Sequence, residues 1–365
     1  GVPLATLKAD DLVGLRNDVL LECLAATDEP EEGDPVQAAA AKALVDAPGG
    51  RRPSVEILFH ALIPDTLVLH THPLVANALT CNTDAEALAA RLLGDEAVFV
   101  PYTDPGVPLA RKVAEVRDAY TARTGRPAPG ITLLGNHGII VSGNSAAELT
   151  ERAERLTSVI RDALGSSTSA GDVPADEADP VIVKVAPTLR GLLARGGRLP
   201  VVTSDAGDLV RSVTPSPAGT AILTGGPLIP DQIVYAGSLP LVFTPSEGGD
   251  VLAELTAALA DYRGRHGRDP IVTVVPGRVA FAAGADLNAA RTALLTFTDA
   301  LRVARDANRI GTVRVLDDRE RGFIENWEAE SYRKAVAAAA HAGRMDGKVV
   351  MVTGAAQGFG LGIAT

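Results

Sequence analysis

The sequence predicts an α/β protein of two domains followed by the opening strand and turn of a third. Three observations carry this. Short apolar runs of strand type, such as Ile139-Ile140-Val141, alternate with helically spaced apolar residues, such as Leu109, Val113, Val116 and Tyr120 after Pro105-Gly106. Blocks from the first half recur in the second: Leu62-Ile63-Pro64-Asp65 as Leu228-Ile229-Pro230-Asp231, and the stretch from Tyr120 to Arg126 as that from Tyr262 to Arg268. Near the C-terminal end, Val349-Val350-Met351-Val352 runs into a glycine-rich turn and the start of a helix.

In chain order, residues 1–165 form the first domain. Ile57-Leu58-Phe59 reads as a buried strand or core segment, and Ser145 with Glu148 reads as a capping box that opens a helix after the apolar run at 139–141. Residues 166–180 are small, acidic and punctuated by proline with no apolar period, which predicts a linker. Residues 181–340 form the second domain, and residues 341–365 begin the third.

A chain of 365 residues with 46% apolar content can bury a real core. The two cysteines, Cys23 and Cys81, offer no disulfide framework and no Cys-x-x-Cys motif, which predicts a reducing, cytoplasmic setting. No apolar run approaches twenty residues, so no membrane span is predicted. A net charge of −11 with scattered arginines argues against a nucleic-acid surface, since phosphate backbones are bound by clustered cations.

The chemistry is concentrated at His70-Thr71-His72, with Glu56 upstream and His137 downstream. Residues two apart on a strand face the same way, so both imidazoles can reach one ion. Three neutral imidazoles with an open position describe a catalytic zinc site, and a nearby carboxylate completes an acid/base centre. The competing reading is that each is a hydrogen-bonded core histidine. The repeat acts as an internal control: aligned block by block, Glu56 falls on Ile222, His70 on Ala236, His72 on Ser238 and His137 on Arg278. The apolar frame is kept while the polar residues are lost, which favours a chemical role for them.

In order, Arg52 to His60 containing Glu56, Leu69-His70-Thr71-His72-Pro73 and Asn136-His137-Gly138 resemble the class II aldolase/adducin family. The resemblance implies a class II aldolase/adducin-like α/β fold over residues 1–165, a second, degenerate aldolase-like domain, Zn2+ on His70, His72 and His137, and Glu56 as acid/base. For that work Glu56 is expected to have a pKa raised by partial burial. The family's substrate-phosphate loop, an Asn-x-Ser segment, is placed before Gly1. Tyr102 is read as structural.

The turn from Thr353 to Gly360 resembles the first turn of the short-chain dehydrogenase Rossmann fold, which implies NAD(P) binding at Thr353, Gly354, Gly358 and Gly360. No Tyr-x-x-x-Lys occurs in the chain. The order of parts resembles the bifunctional rhamnulose-1-phosphate aldolase/alcohol dehydrogenase proteins, and the chain is expected to be an internal fragment of such a protein. The function implied is zinc-dependent retro-aldol cleavage of a ketose phosphate to a ketone phosphate and a small aldehyde. Epimerisation or dehydration of a sugar phosphate, and a metal-free adducin-like scaffold, are the alternatives. The expected partners are a small sugar phosphate and further copies of the chain, with no nucleic acid or membrane. The second domain is expected to pack on the first as one aldolase subunit packs on another.

Overall fold

Two four-stranded sheets with the same strand order organise the chain, in a computed structural model that describes residues 6–26, 34–165, 180–327 and residue 356. In the N-terminal half, β1 (Gly14–Leu15) precedes α1 (Asn17–Ala25) and α2 (Pro35–Ala43), and β2 (Leu44–Asp46) returns to pair with β1. Asp34 starts α2 by accepting hydrogen bonds from the Val36 and Gln37 amides, with Pro35 in the first turn where no donor is needed. Then follow α3 (Ile57–Leu62), β3 (Leu67–Thr71), α4 (Leu74–Thr80), α5 (Ala85–Leu93), β4 (Ala97–Val100), α6 (Val107–Thr124), β5 (Ile131–Leu134), β6 (Gly138–Gly143) and α7 (Ala146–Leu164).

The first sheet has the order β3-β6-β5-β4. β6 lies between antiparallel neighbours and is buried along its whole length, which is why its apolar residues form one run rather than an alternation. The helical spacing of Leu109, Val113 and Tyr120 is that of α6, which buries all three. Ile57, Leu58 and Phe59 are buried, in a helix rather than a strand; three residues are too few to separate the two periods. At α7, Ser145 Oγ accepts from the Glu148 amide as expected, but the Glu148 carboxylate accepts from the Asn144 amide, one residue further back than a capping box requires.

The C-terminal half comprises α8 (Pro180–Leu192), β7 (Val201–Asp205), α9 (Asp208–Val213), α10 (Pro217–Thr220), α11 (Pro230–Ala236), β8 (Leu241–Val242), α12 (Val251–His266), β9 (Val272–Val275), β10 (Val279–Gly284), α13 (Leu287–Ile310) and α14 (Asp318–Asn326). Its sheet has the order β7-β10-β9-β8, with β8 parallel to β9 and the other pairs antiparallel, matching the first.

The ladders correct the alignment read from the sequence. Leu67 pairs with Gly143 at the end of β6, and Val201 pairs with Gly284 at the end of β10. His70, opposite Ile140, therefore corresponds to Ser204, opposite Phe281; His72 corresponds to Ala206, one residue past β7, and His137 does correspond to Arg278. The Leu-Ile-Pro-Asp block misled the alignment: Asp65 precedes β3, whereas Asp231 follows β7 and lies in the first turn of α11. A four-residue match sets no register when its copies lie on different sides of the first strand.

The two halves share an interior. Cys81 and Leu74 of the first belong to the core formed by Val210, Ile222, Val274, Phe297 and Leu301 of the second. Asn82 donates to the Ala307 carbonyl (3.0 Å) and accepts from the Thr312 amide (3.1 Å), and the Arg314 amide donates to the Cys81 carbonyl (2.9 Å). A side chain on Gly311 would collide with Asn82. Among the described residues no helix is long and apolar enough to cross a membrane. The expected linker, apart from Pro180, and the turn residues Thr353, Gly354, Gly358 and Gly360 lie outside the described residues.

Candidate metal centre

Glu56 sits at the N-terminus of α3, whose buried face fixes where the chain enters the helix. His70 is on β3 and His72 lies just beyond it, so both rings emerge on the same side of the sheet edge. His137 closes the three-residue connection between β5 and β6, with its amide donating to the Leu134 carbonyl (3.2 Å). These three segments bring Glu56, His70, His72 and His137 together, with one potential ligand atom from each lying within 4.8 Å of the others.

The contacts inside the cluster are short. His70 Nε2 lies 2.9 Å from His72 Nε2 and 3.2 Å from Glu56 Oε1, and His137 Nε2 lies 3.0 Å from the same oxygen. Outside the cluster, His70 Nδ1 is 2.8 Å from the Ile139 carbonyl and His72 Nδ1 is 2.7 Å from Asp231 Oδ2. A carbonyl or a carboxylate oxygen only accepts, so each of these Nδ1 atoms carries the proton. In a neutral ring the other nitrogen then holds a lone pair. Two such lone pairs face each other across 2.9 Å, beside a carboxylate oxygen. A cation resolves this repulsion, and nitrogen ligands from three imidazoles suit a borderline metal such as zinc.

The electrostatics correct one expectation. Burial pushes the Glu56 carboxyl up, but in the metal-free site the His137 and His70 imidazoles, where they are protonated, outweigh it through their hydrogen bonds and charge and hold Glu56 well below the usual carboxylate range. Partial burial alone would have raised it; the expectation left out the pull of the imidazoles that the same reading set beside the group. Burial holds the His137 imidazole below its ordinary value, against the opposing pull of Glu56, which favours the neutral ring that binds a metal. His137 Nδ1 is buried with no hydrogen-bond partner among the described residues.

The surroundings are built for close approach. A methyl group on Gly138 would run into the His72 ring and the Thr71 carbonyl, so only glycine admits His72 beside β6. Asn136 is fully buried; its Nδ2 donates to the Leu228 and Arg314 carbonyls (2.8 Å each) and its Oδ1 accepts from Arg314 Nη1 (2.6 Å). Tyr102 lies under the Arg314 guanidinium, 5.5 Å from ring centre to cation. The contact between Asp231 and His72 went unseen in the sequence, because it crosses between halves far apart in the chain.

The model of the family described as Class II Aldolase and Adducin N-terminal domain matches residues 1–164. A protein of Bacillus subtilis (strain 168) described as "Uncharacterized oxidoreductase YuxG" is 24% identical over 388 aligned positions, covering 99% of this chain and 55% of the relative. The chain thus spans about half the length of that curated relative. Among solved structures, the N-terminal class II aldolase domain of a conserved protein from Thermoplasma acidophilum is similar, at 25% identity over 44% of this chain and 70% of that one, with a TM-score of 0.38. The chain therefore carries a class II aldolase domain, and it has a distant relative named as an oxidoreductase.

Proposed function

We propose that the class II aldolase domain of this chain cleaves a ketose phosphate by a zinc-dependent retro-aldol reaction, giving a ketone phosphate and a small aldehyde. The observation that carries this reading is that the His70 and His137 Nε2 atoms meet one Glu56 oxygen while the His72 Nε2 lies against that of His70, with the Nδ1 atoms of His70 and His72 already committed to outer acceptors. His70, His72 and His137 would hold the metal. Bound there, zinc would act as a Lewis acid on the substrate's carbonyl oxygen and offset the negative charge that develops as the carbon–carbon bond breaks.

The remaining work falls to residues of the chain. Glu56 is the carboxylate within the cluster: it would take the proton from the hydroxyl on the carbon that leaves as the aldehyde while the carbon–carbon bond breaks, and would return a proton to the carbon beside the carbonyl. The Ile139 carbonyl orients His70, and Asn136, bonded on all sides, fixes the backbone that carries His137. The second half, with Ser204, Ala206 and Arg278 at the places of the three histidines, is read as a degenerate copy of the first, serving structure rather than catalysis of its own. The turn at Thr353, Gly354, Gly358 and Gly360 is read as the start of an NAD(P)-binding dehydrogenase that would act on the released aldehyde, a reading supported by the relative's description as an oxidoreductase. A cytoplasmic homo-oligomer acting on a small sugar phosphate completes the proposal.

Metal analysis of the purified chain, followed by supply of candidate ketose phosphates and trapping of aldehyde as a hydrazone, tests this. About one zinc per chain and aldehyde release are expected. Glu56→Gln should keep the metal and lose about 10²- to 10⁴-fold in turnover, the usual contribution of a positioned acid/base. A metal-free chain with no cleavage would leave the scaffold reading in place of the enzyme.

A further inference from the structure

We infer that Asp231, in the C-terminal half, is a positioning residue for the metal centre of the N-terminal half, so that the site is assembled from both halves of the chain. The inference rests on the metal-centre reading above. Asp231 Oδ2 lies 2.7 Å from His72 Nδ1. A carboxylate there accepts the Nδ1 proton, fixes the tautomer and turns Nε2 toward His70 and Glu56. His70 receives the same service from within its own sheet, through the Ile139 carbonyl. His72, one residue beyond the end of β3, has left the ladder that would hold it, and its orienting acceptor comes from α11 instead.

A second contact reinforces the arrangement three residues before Asp231. The Leu228 carbonyl accepts from Asn136 Nδ2 (2.8 Å), and Asn136 directly precedes His137. Gln232 Oε1 in turn accepts from the Leu228 amide (2.9 Å), so the segment is fixed to the start of α11. The segment from Leu228 to Asp231 thus sets the two histidine-bearing stretches against each other. This gives the C-terminal half a task it can perform without imidazoles at the corresponding positions: it supplies the outer hydrogen bonds that aim the imidazoles of its neighbour.

The test uses the full chain, stripped of metal and titrated with Zn2+ against a chromophoric chelator, with nitrogen-correlated NMR of the imidazoles in the metal-free protein as a second readout. Asp231→Ala is expected to weaken zinc binding by about 10- to 100-fold, as loss of an outer-shell partner does. It should also shift His72 from the Nδ1-protonated tautomer toward a mixture while leaving His70 unchanged. Asp231→Glu should recover part of the affinity, and Asp261→Asn, which disturbs a surface ion pair with Arg265, should bind zinc like the parent. Thermal melts of the metal-free variants identify any that fail to fold, in which case the Asp231→Glu and Asp231→Asn variants carry the comparison. Unchanged zinc affinity and an unchanged His72 tautomer in folded Asp231 variants would overturn the inference while leaving the metal centre intact. Failure of the parent chain to bind zinc would overturn the metal centre, and the inference with it.

Discussion

Asn136 occupies a left-handed backbone position (φ 48°), where the second hairpin has Gly277 (φ 73°). Both sit in the middle of a three-residue connection between antiparallel strands, where positive φ lets the chain reverse. Glycine is the easy solution, and asparagine is kept where its side chain binds the Leu228 and Arg314 carbonyls and the Arg314 guanidinium. Asn136→Gly would ease the backbone yet leave buried carbonyls without their donor, at about 1–3 kcal/mol for an unsatisfied buried group. Urea unfolding is expected to show a net destabilisation of that order; a variant as stable as the parent would remove Asn136 from the account. From the sequence, Asn136-His137-Gly138 was legible as a motif, but the partners of Asn136 were not. Glycine at 138 is explained by the His72 ring and the Thr71 carbonyl beside it, which no local pattern reveals.

At the scale of elements, legibility followed the length and regularity of the pattern. α6 was readable because several turns repeat one apolar face; it buries Leu109, Val113 and Tyr120 on that face, and each fully buried side chain contributes about 1.5–3 kcal/mol. The N-terminus of α7 was readable because a serine oxygen there meets an unpaired amide. Ser145→Ala is expected to cost about 1 kcal/mol in thermal or urea unfolding, the usual worth of an N-cap. If stability is unchanged, the bond from the Asn144 amide to Glu148 is the effective cap. α3 was not readable as a helix, because Ile57-Leu58-Phe59 is buried all along and such a run lacks a period.

At the scale of the whole molecule, the two sheets share an interior that includes Cys81. The thiol is buried, and burial pushes its pKa from 9.0 up to about 12. In the unfolded chain the thiol would ionise at its ordinary value, so between pH 9 and about 12 the folded state retains a proton that the unfolded state has lost. The contribution of this group to stability is therefore complete below pH 9 and declines as pH rises, by at most about 1.4 kcal/mol per pH unit. Denaturant unfolding of Cys81→Ala alongside the parent should show the parent falling more steeply above pH 9, after the constant cost of the smaller side chain is set aside. Iodoacetamide at pH 8 should spare Cys81 until the halves separate. Alkylation of Cys81 in the folded chain would contradict the shared core.

The sequence by itself set His70 and His72 together as candidate ligands, because alternation along a strand puts them on one side whatever the rest of the fold does. It also carried the recurrence of one hairpin and its flanking helices, since Tyr120 to Arg126 and Tyr262 to Arg268 hold equivalent places at the ends of α6 and α12. Only the tertiary structure decided the register of the recurrence, the low pKa of Glu56 and the contact between Asp231 and His72. Strand pairing, the field at a carboxylate and a hydrogen bond between distant segments all depend on which groups folding brings within a few ångströms of each other, and no local period in a sequence encodes that.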